Sequence, residues 1–358
     1  MEIYLVGGAV RDSILNLPVK EKDWVVVGAN EKKLLEKGYI GVGKNFPVFL
    51  HPVSKEEYAL ARKENKTGKG HKGFSFQTGP KISLEEDLKR RDITINAIAK
   101  SKSGDIIDPF GGIYDIKRKL IRKVSDAFSE DPLRVFRVAR FAAKLKHLNF
   151  SVEKDTLEAM TKISSSEEIN LISKERIWQE TNKALKEKNP SVYFQILAEC
   201  GALKKLDPNL TFNIKLLNKA SAYIHRADLL WIILMSSKEN LSSINSNFGV
   251  PKKIHTLSSI LKKLIKFHEN KKPKGSEVLS LLTEVDALRR NERFLLVLKA
   301  FNVICKILKE TPLNWSQITK ELLKLKPKEG IKKNEISEYL ENKKIKIIDK
   351  ELKIKDEQ

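Results

Sequence analysis

The apolar residues of this chain change their spacing once, near residue 126, and that change rules out a fold of a single class. Before it, they come in short β-branched or aromatic runs cut by glycine and proline. Ile3-Tyr4-Leu5-Val6 reads as a strand broken by Gly7-Gly8, and Ala9 to Leu17 as a helix stopped by Pro18. Trp24-Val25-Val26-Val27 is a buried strand ended by Gly28, and Phe46 to Leu50 and Tyr58 to Ala61 are further strands. Asp105-Ile106-Ile107-Asp108-Pro109 is another, closed by Gly111-Gly112. After residue 126 apolar positions recur every third or fourth residue and glycine becomes sparse. Leu133 to Leu148, Arg176 to Leu185, Ser191 to Ala198, Asp228 to Ser236, Ile254 to His268 and Glu292 to Leu308 all read as helices. The expected fold is an α/β head, a small mixed sheet with helices packed on it, followed by an all-α body. The charged segment Lys343 to Gln358 is expected to fray.

Charge narrows the partners. Lys+Arg outnumber Asp+Glu by 68 to 46, a net +22. Such an excess suits a polyanion, nucleic acid being the usual one, with a solvated lysine-rich surface as the plain alternative. The two cysteines, Cys200 and Cys305, form neither a metal-type spacing nor a disulfide framework, which fits a reducing cytoplasm. The N-terminus does not read as a signal peptide, and no apolar run is long enough to span a membrane.

Four constellations carry chemistry. Gly7-Gly8-Ala9-Val10-Arg11-Asp12 runs a strand into a glycine turn and a helix, which brings backbone N–H groups and Arg11 toward one point suited to a phosphate. A plain strand–turn–helix with a surface Arg11 reads equally well. Glu21-Lys22-Asp23 opens the second strand, where residues two apart share a side. Two carboxylates there repel, and a pair of Mg²⁺ ions would relieve the repulsion. Taken alone the pair is common surface decoration; its place one strand after the double glycine favours the metal. Arg90-Arg91-Asp92, with Thr94 and Asn96, suits a triphosphate and a ribose, or a salt-bridged helix end. In Glu130-Asp131-Pro132-Leu133-Arg134-Val135-Phe136-Arg137-Val138-Ala139-Arg140, Asp131-Pro132 starts a helix. Asp131, Arg134, Arg137 and Arg140 then follow at every third residue, a row that drifts by ~60° per step. Few acids nearby in sequence compensate these arginines. The face is expected to meet an anion or a base edge, or to be a solvated stripe.

The order and spacing of GGAVRD, E-x-DW, RRDxTxNA and EDPLRVxRVARFAA resemble the class II tRNA nucleotidyltransferases, the CCA-adding enzymes, most closely over residues 1–200. The resemblance implies a polymerase-β-like nucleotidyltransferase head over residues 1–125. A helical, nucleotide-selecting neck over 126–205 and a helical tRNA-binding body and tail over 206–358 would follow. It implies Mg²⁺ on Glu21 and Asp23 and binding of ATP or CTP by Gly8, Arg11, Arg91, Asp131, Arg134, Arg137 and Arg140. Asp131 and Arg134 would pair with the base in place of a template. The implied reaction is template-independent addition and repair of the tRNA 3′-terminal CCA, releasing pyrophosphate, in the cytoplasm, with no membrane and no protein partner. Poly(A) polymerase is the alternative within the class, and a non-catalytic RNA-binding relative the alternative outside it. The G-R-R-F-R-like stretch of poly(A) polymerases has no counterpart here. The Gly- and Lys-rich Arg62 to Pro80 segment, expected to be a mobile arm, has the full length that CC-adding relatives lack. None of the six histidines is followed by Asp, so an HD-type phosphohydrolase domain is not expected. Pro251 to Gly275, with eight lysines and one acid, is read as a stretch lying along tRNA phosphates or as a solvated helix face.

Overall fold

Gly7 fixes where the first strand ends, because its φ of +72° lies where glycine is favoured. The strand β1 (Glu2–Val6) therefore stops there and α1 (Gly8–Ile14) begins. The helix ends three residues short of Leu17, since Asn16 takes a φ of +54° and leaves the helix before Pro18 can stop it. The computed structural model describes residues 1–42, 48–66, 68, 74–208, 210–326 and 335–356, and the chain forms two units, Met1–Leu210 and Thr211–Gln358.

In the first unit follow β2 (Asp23–Val27), α2 (Glu31–Glu36), β3 (Ile40–Val42), β4 (Val48–Leu50) and β5 (Glu57–Leu60). Next come β6 (Arg62–Lys66), β7 (Phe74–Thr78), α3 (Leu84–Lys89), β8 (Ala99–Lys100), β9 (Ile106–Ile107) and α4 (Gly112–Arg118). Among the described residues the main sheet has the order β3-β4-β5-β2-β1-β8-β9. β2 runs parallel to β5, and the other neighbours are antiparallel, so the sheet is mixed as expected. Strand alternation divides the core. Val25 packs with Val6, Ala61, Leu88 and Ala99 on one face. Val26 packs with Leu34, Phe49, Tyr58 and Leu60 on the other. Of the run Phe46 to Leu50, Phe46 and Pro47 lie outside the described residues.

Over its described residues the Arg62 to Pro80 segment forms an antiparallel ribbon of β6 and β7, paired from Arg62↔Thr78 to Lys66↔Phe74. Thr67 and Lys69 to Gly73 lie outside the described residues. The short helices α2 and α3 were hidden because each is only six residues long. Asn30 caps α2, and Ser83 and Glu86 form a reciprocal capping box on α3.

After β10 (Leu120–Ile121) the unit becomes helical: α5 (Leu133–Leu145), β11 (Ser151–Val152), α6 (Lys154–Ser165), α7 (Lys174–Ala184), α8 (Pro190–Glu199) and α9 (Ala202–Leu206). α5 is buried along most of its length and packs on α7 and α8. The second unit contains α10 (Ile214–Ser221), α11 (Ala227–Leu234), α12 (Leu241–Asn247), α13 (Lys252–His268), α14 (Gly275–Glu284), α15 (Asn291–Leu308), α16 (Trp315–Leu323) and α17 (Ile336–Asp356). α17 continues through the described part of the segment expected to fray, as far as Asp356. Its Ile348 is buried, and its Asp349 carboxylate accepts a hydrogen bond from the Gly275 N–H at 3.0 Å.

Gly112 begins α4 with its N–H on the Asp108 carboxylate at 2.7 Å. A Cβ at Gly112 would lie 2.4 Å from the Thr94 carbonyl oxygen and 2.8 Å from Ile98. Gly112→Ala is therefore expected to destabilise the protein by about 1–3 kcal/mol, the usual cost of overpacking. A lower urea midpoint would report this loss, and an unchanged midpoint would show that the Thr94 turn yields freely.

Candidate nucleotide and metal site

The sheet register builds the site. Antiparallel pairing sets Asp23 opposite Val6, so the start of β2 lies beside the Gly7 turn that ends β1. Alternation puts Asp23 on the face of Val25, where α3 and the Arg90 to Asn96 segment pack. Glu21 is not placed by that alternation. β1 offers no partner beyond Asp23, β2 begins there, and Glu21 lies in the exposed segment before it. Parallel pairing with β5 sets Glu57 beside Asp23, an acid that sequence reading did not single out.

Asp23 lies at the exposed start of β2, within electrostatic reach of Arg91, Glu21 and Arg137. Loss of water raises the Asp23 carboxyl above its ordinary value; Arg91 opposes this, Glu21 adds to it, and Arg137 opposes it again. The raised direction prevails, so the arginines leave the carboxylate under-compensated. A hard oxygen donor in that condition, with the Glu21 carboxylate two residues before it, fits a divalent cation of the Mg²⁺ type, which takes one or two carboxylates and completes its shell from phosphates and water.

Arg91 lies over the glycine turn. A Cβ at Gly7 would stand 2.9 Å from its Nη1, so a side chain there would displace the guanidinium as well as strain the positive φ. Gly8 has no such constraint, its nearest neighbour being Arg11 at ordinary contact distance. Arg91 donates to Asp87 at 3.2 Å and to the Asn96 carbonyl at 3.4 Å, while its Nε is buried with no hydrogen-bond partner. Asp87 is itself buried. Burial would raise its carboxyl, but Arg90 and Arg91 hold it below the ordinary range.

Arg11 is not a surface residue; it is 2% exposed. It donates to Asp12 at 2.7 and 2.9 Å and to the Asn96 side-chain oxygen. Asn96 donates in turn to Asp92 at 3.3 Å, and Arg137 donates to Asp92 at 2.7 Å. Burial alone would raise the Asp92 carboxyl, yet Arg137, then Arg134, hold it well below the ordinary carboxylate range. Lys144 closes the circuit on Asp12 at 2.8 Å.

The arginine row of α5 is dispersed by its own drift. Arg134 is buried and donates to the backbone carbonyls of Ala127 at 2.7 Å and Arg90 at 2.5 Å. Arg137 meets Asp92, and Arg140 meets Glu180 of α7 at 2.5 Å. Asp131 accepts from Arg176 of α7 at 2.8 and 3.4 Å and from the Leu133 N–H at 3.1 Å. The compensating groups, absent from the neighbouring sequence, come from other elements. Arg176 and Glu180 were missed. They lie four apart on the amphipathic α7, with Glu180 only 4% exposed, but nothing in the sequence around them names Asp131 or Arg140 as their partners. Phe141, the residue after Arg140, packs among these arginines. Its ring faces the guanidinium carbons of Arg140 at 4.2 Å, Arg11 at 5.3 Å and Arg137 at 5.8 Å.

Comparison with known proteins shows the family. The family model described as the poly A polymerase head domain matches residues 3–122. That described as a probable RNA and SrmB-binding site of polymerase A matches residues 149–213. The CCA-adding enzyme of Coxiella burnetii (strain RSA 493) is 43% identical over 330 residues, covering 90% of this chain and 86% of that protein. The multifunctional CCA protein of Mannheimia succiniciproducens is 59% identical over 210 residues; these cover 59% of this chain and half of that relative. Among solved structures, the Bacillus stearothermophilus CCA-adding enzyme in complex with CTP aligns with a TM-score of 0.65 at 28% identity, over 89% of this chain and 77% of that one. A tRNA nucleotidyltransferase complexed with a primer tRNA and an incoming ATP analog aligns at 0.62 and 25%, over 86% of this chain and 95% of that one.

The Asp23 environment yields a pH test. A carboxyl raised in the folded state costs stability where it must stay ionised, at neutral pH. That cost vanishes once pH falls below the ordinary carboxylate range and both states are protonated. Asp23→Asn is therefore expected to raise the melting temperature at neutral pH, with the gain shrinking toward acid pH. A gain of equal size at all pH values would show that charge is not its source.

Proposed function

The chain belongs to the CCA-adding enzymes of the poly(A) polymerase superfamily, and on that premise we propose that Glu21 and Asp23 hold the Mg²⁺ ions with which it works. The enzyme adds the 3′-terminal CCA to tRNA from CTP and ATP, without a nucleic-acid template. The observation that carries the metal assignment is Asp23, a carboxylate beside Glu21 that two arginines leave under-compensated. When bound, a divalent metal pair acidifies the tRNA 3′-hydroxyl and neutralises charge on the triphosphate.

The chain's own groups supply the rest. Arg91, with an unspent Nε beside the turn of Gly7 and Gly8, is suited to a phosphate oxygen. α1 is only two turns long, so the approach of the glycine backbone matters more than a helix dipole. Arg11 supports that turn from below. Asp131 and Arg134 read the base edge, and Arg137 and Arg140 hold the nucleotide against α5. Arg134 and Asp131 already have protein partners, so base reading proceeds by exchanging those hydrogen bonds for the nucleotide's.

In domain terms, residues 1–125 perform the chemistry, 126–205 select the nucleotide and 206–358 hold the tRNA. We assign the enzyme to the cytoplasm. Among the described residues no helix is long and apolar enough to cross a membrane.

tRNA lacking its 3′ end is expected to gain two nucleotides with CTP alone and three with CTP and ATP. Continuous extension by ATP alone would instead identify a poly(A) polymerase. Asp23→Ala should abolish incorporation with tRNA binding retained, and normal incorporation would refute the metal site. Asp131→Ala should reduce the preference for CTP and ATP over UTP and GTP roughly tenfold to a hundredfold, as for loss of a base-edge contact worth about 1–3 kcal/mol. Unchanged selection in single-nucleotide incorporation would remove Asp131 from base reading.

A further inference from the structure

Apart from the nucleotide site, the helical unit gathers one nitrogen, one sulfur and one oxygen donor from three places in the chain. His268 ends α13, Cys305 lies in the last turn of α15, and Glu310 follows that helix's cap. Their donor atoms all lie within 4.8 Å of one another. His268 Nε2 and Glu310 Oε2 are 3.0 Å apart. Two tetrahedral ligands bonded to zinc at ~2.0–2.1 Å stand about 3.3 Å from each other, so this pair needs little adjustment.

Local structure fixes all three. Lys309 takes a φ of +60° and the Glu310 N–H returns to the Cys305 carbonyl at 2.9 Å, which clamps the sulfur and carboxylate donors into one helix cap. The His268 ring stands edge-on to Phe301 with centroids 5.4 Å apart. Cys305 is buried, while the Glu310 side chain is 39% exposed and gives access from solvent. Beside His268 lies a cavity of about 40 Å³, lined also by Thr311, Trp315 and Lys271, with room for a water molecule.

We propose that His268, Cys305 and Glu310 bind a borderline transition-metal ion of the Zn²⁺ class, with water as the fourth ligand. The mixed sulfur, nitrogen and oxygen set selects against Mg²⁺, which separates this site from Glu21 and Asp23. Binding forms a metal–sulfur bond and releases the Cys305 thiol proton to solvent; nothing is oxidised or reduced. Thiolate and carboxylate together offset the charge of the ion against Lys271. The ion then ties the end of α13 to the end of α15.

The test is titration of the full chain, purified metal-free, with Co²⁺. Near-ultraviolet thiolate-to-cobalt absorption saturating at one equivalent is expected, with a rise in melting temperature when Zn²⁺ displaces the cobalt. Cobalt bound at Glu21 and Asp23 produces no sulfur absorption, so failure of that assignment leaves this readout intact. Cys305→Ser should abolish the absorption. Glu310→Gln, at a partly exposed position, should keep the fold and weaken affinity by about tenfold or more. Absence of the absorption in the parent chain, its survival in Cys305→Ser, or unchanged affinity in folded Glu310→Gln would each overturn the proposal.

Discussion

A closed circuit of charged and amide side chains ties the head to α5. From α5, Lys144 reaches Asp12; Asp12 holds Arg11; Arg11 reaches Asn96; Asn96 reaches Asp92; and Asp92 returns to α5 through Arg137. Its members come from α1, the segment after α3 and α5. Asp92 and Arg11 are nearly inaccessible, so leaving either without its partner would strand a charge in low dielectric. The Gly7 turn, the Arg90 to Asn96 segment and α5 are consequently fixed against one another.

That circuit separates buried residues engaged by the protein's own oxygens from residues that keep exposed or unpaired groups. Arg11 and Arg134 are buried and use donors on protein oxygens. Asp23 lies at the exposed start of β2 with Glu21 in the segment before it, and Arg91 keeps one nitrogen unspent. Asp23 retains a charge its neighbours compensate poorly. Such destabilised groups are commonly kept where a ligand supplies the missing interaction.

In the helical unit the basic excess is partly spent at home. Of the lysine-rich stretch, Lys262 pairs with Glu239 at 2.7 Å and Lys263 with Glu284 at 2.8 Å, while Lys252, Lys253 and Lys266 are exposed. The count of eight lysines therefore overstates the charge offered to RNA. The same unit shows why a charged tail need not fray. α17 gives one face to α14, where Ile348 is buried and Asp349 caps the Gly275 N–H.

Periodicity sufficed for the division into a sheet-bearing head and a helical remainder, because burial of one face imposes a period of two or of 3.6 on any sequence. Short capped helices such as α2 and α3 escaped that reading, since six residues barely complete a period. Motif order alone grouped Glu21, Asp23, Arg91 and Asp131 as candidates for one site, and the local pattern around Gly7 located the turn. Partners were beyond it. Asp92 for Arg137, Glu180 for Arg140 and Arg176 for Asp131 lie about 40 or more residues away, and nothing local marks a long-range ion pair. The sequence by itself determined which side chains carry charge and the period on which they recur. Only the tertiary structure decided which of those charges are buried and neutralised and which stay available, because that depends on desolvation and on neighbours brought in by the fold.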